Sequence, residues 1–349
     1  MIDPFTAATR GMTEPNPVPE ALRAAGPLVA VDAPAGGQVW IVTDGDLVKQ
    51  VMADPRIVKD PAMAPEDWDP MVAGLEPPAA LRPSLTTLDG PAHTALRRVQ
   101  APLLTGKRIR ERQDRIEELA HEMLMGLGEG AVDLMADFTV RFPLAVLLDM
   151  MAIPPENVSK AVDACRHMDV DQVAAIETLM DIAATAQENG LAAELRERLA
   201  GTPEDELRYH LFGLILASQV TTDAAIGYVV ARMLGTPSDD PVAETLRENP
   251  PAPFSLWRFT AGEMELAGTR LPARAPILVD LAGLGLTFGA GAHYCVGAQL
   301  AQAELHAVRK VLARDFPSAR LTVPYEELMQ VVLGGIAGTR LKELPVVLR

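Results

Sequence analysis

The residues whose type and spacing could do chemistry cluster in Leu286 to Leu305, LTFGAGAHYCVGAQLAQAEL, with Cys295 at the centre. Cys295 stands between Phe288-Gly289-Ala290-Gly291 and Gly297, and glycine allows the backbone to turn tightly and approach another group closely. Downstream, Val296, Leu300, Ala301 and Leu305 recur at helical spacing. The thiol is therefore expected at the mouth of a helix, where amide groups and the macrodipole favour the metal-binding thiolate. Cys165, in AVDACRHMD, is expected to be an ordinary buried thiol. Elsewhere, the turn Asp89-Gly90-Pro91 precedes His93 and Arg97, which at i and i+4 share one helical face. Such a pair is usually solvated. Thr221 lies in Ala217-Ser218-Gln219-Val220-Thr221-Thr222, within the long helical pattern Glu204 to Leu234. Its hydroxyl has a bland use open to it, a bond to its own preceding turn. Glu244 and Arg247 form an E-x-x-R pair, with Arg258 beyond it. Taken alone, that pair is an ordinary surface ion pair.

Together these strings resemble the cytochromes P-450. Phe288, Gly289, Gly291, His293, Cys295, Gly297, Leu300 and Ala301 stand where the family pattern F-G-x-G-x-H-x-C-x-G-x-x-L-A requires them. The resemblance implies a haem-thiolate oxidoreductase holding haem b (iron protoporphyrin IX), with Cys295 as the iron ligand. It implies that Phe288, Gly289, His293 and Gly297 frame the cofactor and that Ala217 lies on the central helix crossing it. His93, Arg97 and Arg258 fall on the family's propionate-binding positions, and buried carboxylates need such donors. Glu244 and Arg247 are implied to be structural. Thr221 matches the hydroxyl that orders water for proton delivery to dioxygen.

The chain departs from the family pattern in the central helix and near the cysteine. Ser218 replaces an expected glycine, and Val220 replaces an expected acid. Valine can neither hold water nor give a proton, so Gln219, Asp223, the neighbouring Thr222 or a polar group of the substrate would have to complete the relay with Thr221. Leu281 runs through Ala282-Gly283-Leu284-Gly285 almost directly to Phe288, without the family's irregular meander. The connection from Thr221 to Glu244 is also too short for the usual intervening helix. The implied function is oxidation of a small apolar or carrier-bound molecule in bacterial secondary metabolism by a monooxygenase with a ferredoxin-type electron donor. The alternatives are a haem-thiolate enzyme that uses peroxide or rearranges its substrate, and a non-catalytic helper of a partner enzyme.

The elements that must position these residues are mostly helical. The chain has 349 residues, 48% of them hydrophobic and only 4% aromatic, which suits a mainly α fold with small β-sheets and a sizeable core. By resemblance this is a compacted P-450 fold. One haem-binding domain is expected over 13–349, with residues 1–12 an added or disordered start and Met12 the native initiator. A net charge of -16 argues against nucleic acid or an anionic membrane as partner. Two distant cysteines give neither a disulfide framework nor a zinc spacing. The longest apolar run, Leu211 to Leu216, is broken by Ser218 and Gln219, so the protein is expected in the cytoplasm with no membrane span.

Gly106 to Gly128 reads as one charged amphipathic helix, mostly solvated, whose basic end could dock an acidic electron donor. Strands are expected at Val39–Val42, 264–272 as a hairpin, 276–281, 321–323 and 341–348. The proline-rich stretch 60–83, carrying Met63, Trp68 and Met71, is expected to be a loop over the substrate pocket. The apolar loop 331–336 is expected to enter that pocket.

Overall fold

The computed structural model describes all residues except 1, 7, 71, 73–81, 169 and 333–337. Met71, most of the proline-rich stretch beyond it and most of the loop 331–336 therefore lie outside the described residues. The chain divides into two compact units. One comprises Met1–Arg97, Arg247–Cys295 and Val331–Thr339; the other comprises Arg98–Leu246, Val296–Gln330 and Arg340–Arg349.

The first unit is built on a five-stranded sheet with spatial order Leu28–Asp32, Gln38–Val42, Pro276–Val279, Arg258–Thr260, Ile57–Val58. The first two strands form a hairpin closed by the Ala33 amide on the Gly37 carbonyl at 2.9 Å. Pro276–Val279 joins Gln38–Val42 in parallel, with Trp40 beside Ile277. It is buried at all four positions, as an apolar run between two covered faces should be. Arg258–Thr260 is antiparallel to it and to Ile57–Val58, in the register Ile57 to Thr260 and Val58 to Phe259.

One face of the sheet is closed by an aromatic core in which Trp68 meets Trp257 edge-on at 4.7 Å. Trp68 thus belongs to the core of this unit and not to an open loop. Phe5, 6% exposed, packs on Phe254 in the same core. Among the described residues before Met12, Phe5 lies in this core and Ala8–Gly11 forms a strand. The predicted hairpin is present as Met264–Leu266 and Thr269–Leu271, turning through Ala267 and Gly268 at φ 48° and 75°.

The second unit is organised on the 32-residue helix Glu204–Gly235, with three acids in its first turn and Arg232 in its last. It packs against Arg141–Met150, Gln172–Ala184 and Ala298–Asp315. By length and composition this helix could cross a membrane, contrary to the reading of a broken apolar run, but 72% of its apolar window is buried inside the protein. A small sheet of Arg320–Leu321, Pro345–Val347 and Ala131–Asp133 flanks it.

The charged helix expected over Gly106 to Gly128 is broken at Arg112 into Gly106–Glu111 and Gln113–Met125. Its basic groups are largely spent within the chain: Arg108 pairs with Glu194 at 2.6 Å, and Arg112 and Arg115 with Asp149 at 3.6 and 3.2 Å. Glu244 pairs with Arg232 at 3.7 Å and Arg247 with Glu248 at 2.7 Å, so the E-x-x-R residues take other partners than each other.

Candidate haem site

The shortened connection ahead of the cysteine is a tight turn. The Asp280 carboxylate accepts the Gly283 amide at 2.8 Å, and Leu286 returns a bond to the Leu281 carbonyl at 2.9 Å. Two residues further on, the chain opens a second loop, in which the Cys295 amide donates to the Phe288 carbonyl at 2.8 Å and that of Tyr294 to the Gly291 carbonyl at 3.1 Å. Gly289 and Gly291 sit at φ 68° and 67°, where a side chain would be strained. The loop leaves Cys295 exposed. In sequence it stands three residues ahead of the helix Ala298–Asp315, for which Gly297 is the N-cap at φ -87°.

Around this loop the first unit gathers a cluster of basic groups. The helix Gly90–Gln100 supplies His93, 2% exposed, and Arg97. The His93 and His293 rings lie 4.0 Å apart, and the Arg97 guanidinium donates to the Tyr294 carbonyl. His293 bonds the Leu85 carbonyl through Nδ1 at 3.2 Å and Asp89 through Nε2 at 3.4 Å. The other Asp89 oxygen accepts the Lys59 backbone amide. Arg258, 3% exposed, donates to the Met52 sulfur at 3.0 Å.

Burial sets the charge states. It pushes His93 down to about 4, helped by His293 and Arg97, and Lys59 down to about 7, helped by Arg258. Burial also lowers Arg258 and His293. Asp89 moves the other way from what burial alone would do, because the bonds from His293 and the Lys59 amide hold its carboxyl below the ordinary value. Two buried nitrogens in this cluster, Arg258 Nε and His93 Nε2, have no hydrogen-bond partner; the first is a donor, and the second donates when the ring carries its proton there. Unmade bonds of this kind cost free energy, so the arrangement fits carboxylates that the chain itself does not provide.

In the second unit, the long helix separates the predicted relay residues. Ala217 and Val220 are exposed, Val220 by 48%, and with Gly213, Leu216 and Thr221 they form an open stripe at i, i+3, i+4, i+7 and i+8. Thr221 bonds the Ala217 carbonyl at 3.2 Å, the preceding-turn use noted above. Gln219, Thr222 and Asp223 are buried on the other side, at 6%, 3% and 6% exposure. Asp223 pairs with Arg340 at 3.2 Å, and burial pushes its carboxyl up against the pull of that arginine and Thr139. These three residues are therefore built into the packing of this unit and are not brought onto the stripe with Thr221. Cys165 is half-buried, its thiol pushed up to about 12 by burial and by Asp223, and stays neutral as expected.

Sequence reasoning did not single out Lys59, Met52 or the Asp89 carboxylate, which bonds His293 and the Lys59 amide. Asp89 was visible only as the start of a turn, and the strand pairing that brings Lys59 to Arg258 leaves no local signal.

No family model matches the chain. DoxA, a cytochrome P-450 monooxygenase from a Streptomyces species, is 36% identical over 414 aligned positions, covering 100% of this chain and 98% of that protein. The alignment exceeds the chain's 349 residues, so the relative carries tens of internal residues that this chain lacks. PikC of Streptomyces venezuelae, also a P-450 monooxygenase, is 27% identical over 95% of this chain and 91% of its own. Among solved structures, CYP154C4 from Streptomyces superposes with a TM-score of 0.79 at 26% identity, covering 99% of this chain and 96% of that one. With the cysteine loop, the basic cluster and relatives matching from end to end, the chain belongs to the cytochrome P-450 monooxygenases.

Proposed function

We propose that this enzyme binds haem b through the Cys295 thiolate, with the propionates held by His93, Arg97 and Arg258, and hydroxylates a small, largely apolar molecule or its carrier-bound form in bacterial secondary metabolism. The observation that carries the haem assignment is the pair of buried, unpartnered donors, Arg258 Nε and His93 Nε2, in the cluster around the exposed Cys295 loop. Bound haem would supply dioxygen activation, with the thiolate favouring cleavage of the dioxygen bond.

The chain's own part is positional and electrostatic. Gly289 and Gly291 shape the loop that presents the thiolate, Phe288 and Gly297 bound it, and His293 is oriented by Asp89 and the Leu85 carbonyl. Ala217, Leu216 and Val220 offer an apolar surface to substrate, with Thr221 as its one hydroxyl. That stripe suits a substrate of the kind named in the vitamin D(3) 25-hydroxylase of Pseudonocardia autotrophica, 29% identical over 90% of this chain. Monooxygenation consumes two electrons and two protons per turnover, so an external redox partner is required; a ferredoxin-type donor in the cytoplasm meets that need.

The absorption spectrum of reduced protein under carbon monoxide tests this directly. Wild type and Cys165→Ala should both show the shifted Soret band of thiolate-ligated haem, and Cys295→Ala should not. Survival of the band in Cys295→Ala would refute the ligation.

A further inference from the structure

The sheet of the first unit creates a charge conflict that its own side chains leave open. Ile57 pairs with Thr260 and Val58 with Phe259. One more step along that antiparallel register sets Lys59 across from Arg258. Both are buried, at 5% and 3% exposure. Like charges opposite one another on neighbouring strands are destabilising, and burial removes the water that would screen them. Burial first, and Arg258 after it, disfavour the charged lysine, against the weaker pull of Asp89.

One carboxylate faces the pair, and its oxygens go to the Lys59 backbone amide and to His293. With Arg97 on the neighbouring helix, three basic side chains in this cluster face one acid, Asp89, among the described residues. When all three carry charge, the surplus is two positive charges beside two donors that have no partner. Packing alone gives no reason to hold a lysine against an arginine there, since an apolar residue would fill the space without the conflict.

We infer that Lys59 is a third cationic contact for the carboxylates of the cofactor, opposite Arg258, and that Asp89 is the positioning residue that fixes Lys59 and His293 for that purpose. A porphyrin with two propionates brings two negative charges, which equals the surplus. A carboxylate placed between the two cations turns a repulsive cross-strand pair into two attractive ones, and it gives the lysine the counter-ion that keeps it protonated. The inference rests on the haem reading above, and the two fail separately: the carbon-monoxide Soret band reports the haem reading, while the rate of haem loss reports Lys59.

The experiment compares holoenzyme of wild type, Lys59→Met and Lys59→Arg. Haem loss to excess apomyoglobin is followed by absorbance, and the reduction potential is measured by equilibrium titration. Methionine keeps the length of the stem without its charge, so Lys59→Met should lose haem about ten-fold faster or more, the size of one lost charge-assisted bond. Its potential should move to more negative values, because a nearby positive charge favours the reduced state. Lys59→Arg should stay within roughly three-fold of wild type in rate, with its potential unmoved. Where the methionine variant does not fold, Lys59→Gln makes the same comparison. Equal rates and potentials in the neutral variant would overturn the inference. So would an arginine variant as leaky as the neutral one, since that result marks a packing role.

Discussion

Replacing Arg258 by methionine should push the apoprotein and the holoprotein in opposite directions. Without haem, Arg258 is a buried guanidinium with an unpartnered Nε, a thioether as its hydrogen-bond acceptor and a buried lysine opposite. Exchanging a buried, poorly compensated charge for an apolar side chain of similar length is often neutral or stabilising by about 1 to 4 kcal/mol. At roughly 1 to 2 °C per kcal/mol for a chain of this size, the apoprotein should melt at the same temperature or up to about 5 °C higher. With haem bound, the same substitution removes a charge-assisted bond to a propionate, a loss of about 1.5 to 3 kcal/mol. That corresponds to haem leaving roughly ten to a hundred times faster. The assay is a pair of measurements on one preparation: thermal unfolding of the apoprotein by circular dichroism, and transfer of haem from the holoprotein to apomyoglobin. Haem loss at the wild-type rate would refute the propionate assignment. An apoprotein destabilised as much as the holoprotein would mean that Arg258 is a structural residue of the sheet.

Two further outcomes follow from the long helix and from a buried acid. Val220 is 48% exposed on the stripe beside Thr221, so Val220→Glu should cost little stability, within about 0.5 kcal/mol. By restoring a proton donor it should raise the fraction of electron-donor equivalents recovered as product while leaving peroxide-driven turnover unchanged; tight coupling in wild type with mere loss of activity in the variant would show that another relay is already in place. Glu304, 0% exposed with both carboxyl oxygens unpartnered, is raised well above its ordinary value by burial. A raised folded-state pKa means that the neutral acid's contribution is complete below the unfolded value near 4.5 and is lost as pH rises towards the folded value. Glu304→Gln should therefore flatten the decline of unfolding free energy from pH 5 upwards, measured by urea titration, and an unchanged slope would show that Glu304 is ionised in the fold.

The cysteine loop was legible because its chemistry is local. Glycines at fixed offsets, a histidine and a thiol within one short string specify a turn whatever surrounds it, and Gly289 and Gly291 do adopt the left-handed backbone. The placement of His93 and Arg97 on one helix was legible for the same reason, one helical turn apart on one element. Gln219, Thr222 and Asp223 lie off the stripe that carries Thr221, and for Asp223 helical geometry alone implies it, since residues two apart on a helix do not face each other. Lys59 was out of reach, because its partner across the sheet is Arg258 and nothing near position 59 announces that pairing. Phe5 is a similar case, buried by Phe254 and Trp257 from the far end of the sequence.

The short turn from Asp280 to Leu286 bears on how firmly the cysteine loop is placed against the sheet. Pro276–Val279 pairs directly with the strand bearing Arg258, and only a few residues later the same chain forms the cysteine loop. A longer connection would leave the loop many arrangements relative to the sheet, and ordering it would consume part of the cofactor's binding energy. Here the turn is already fastened by the Gly283 and Leu286 amides, so little chain entropy remains to be lost. Closure entropy grows only slowly with loop length, about 0.6 kcal/mol per doubling, and the larger gain is in pre-organisation. The cysteine loop and Arg258 hang from two neighbouring strands of one sheet, Pro276–Val279 and Arg258–Thr260, so their spacing is set when that sheet forms and any group bound between them would meet it already in place.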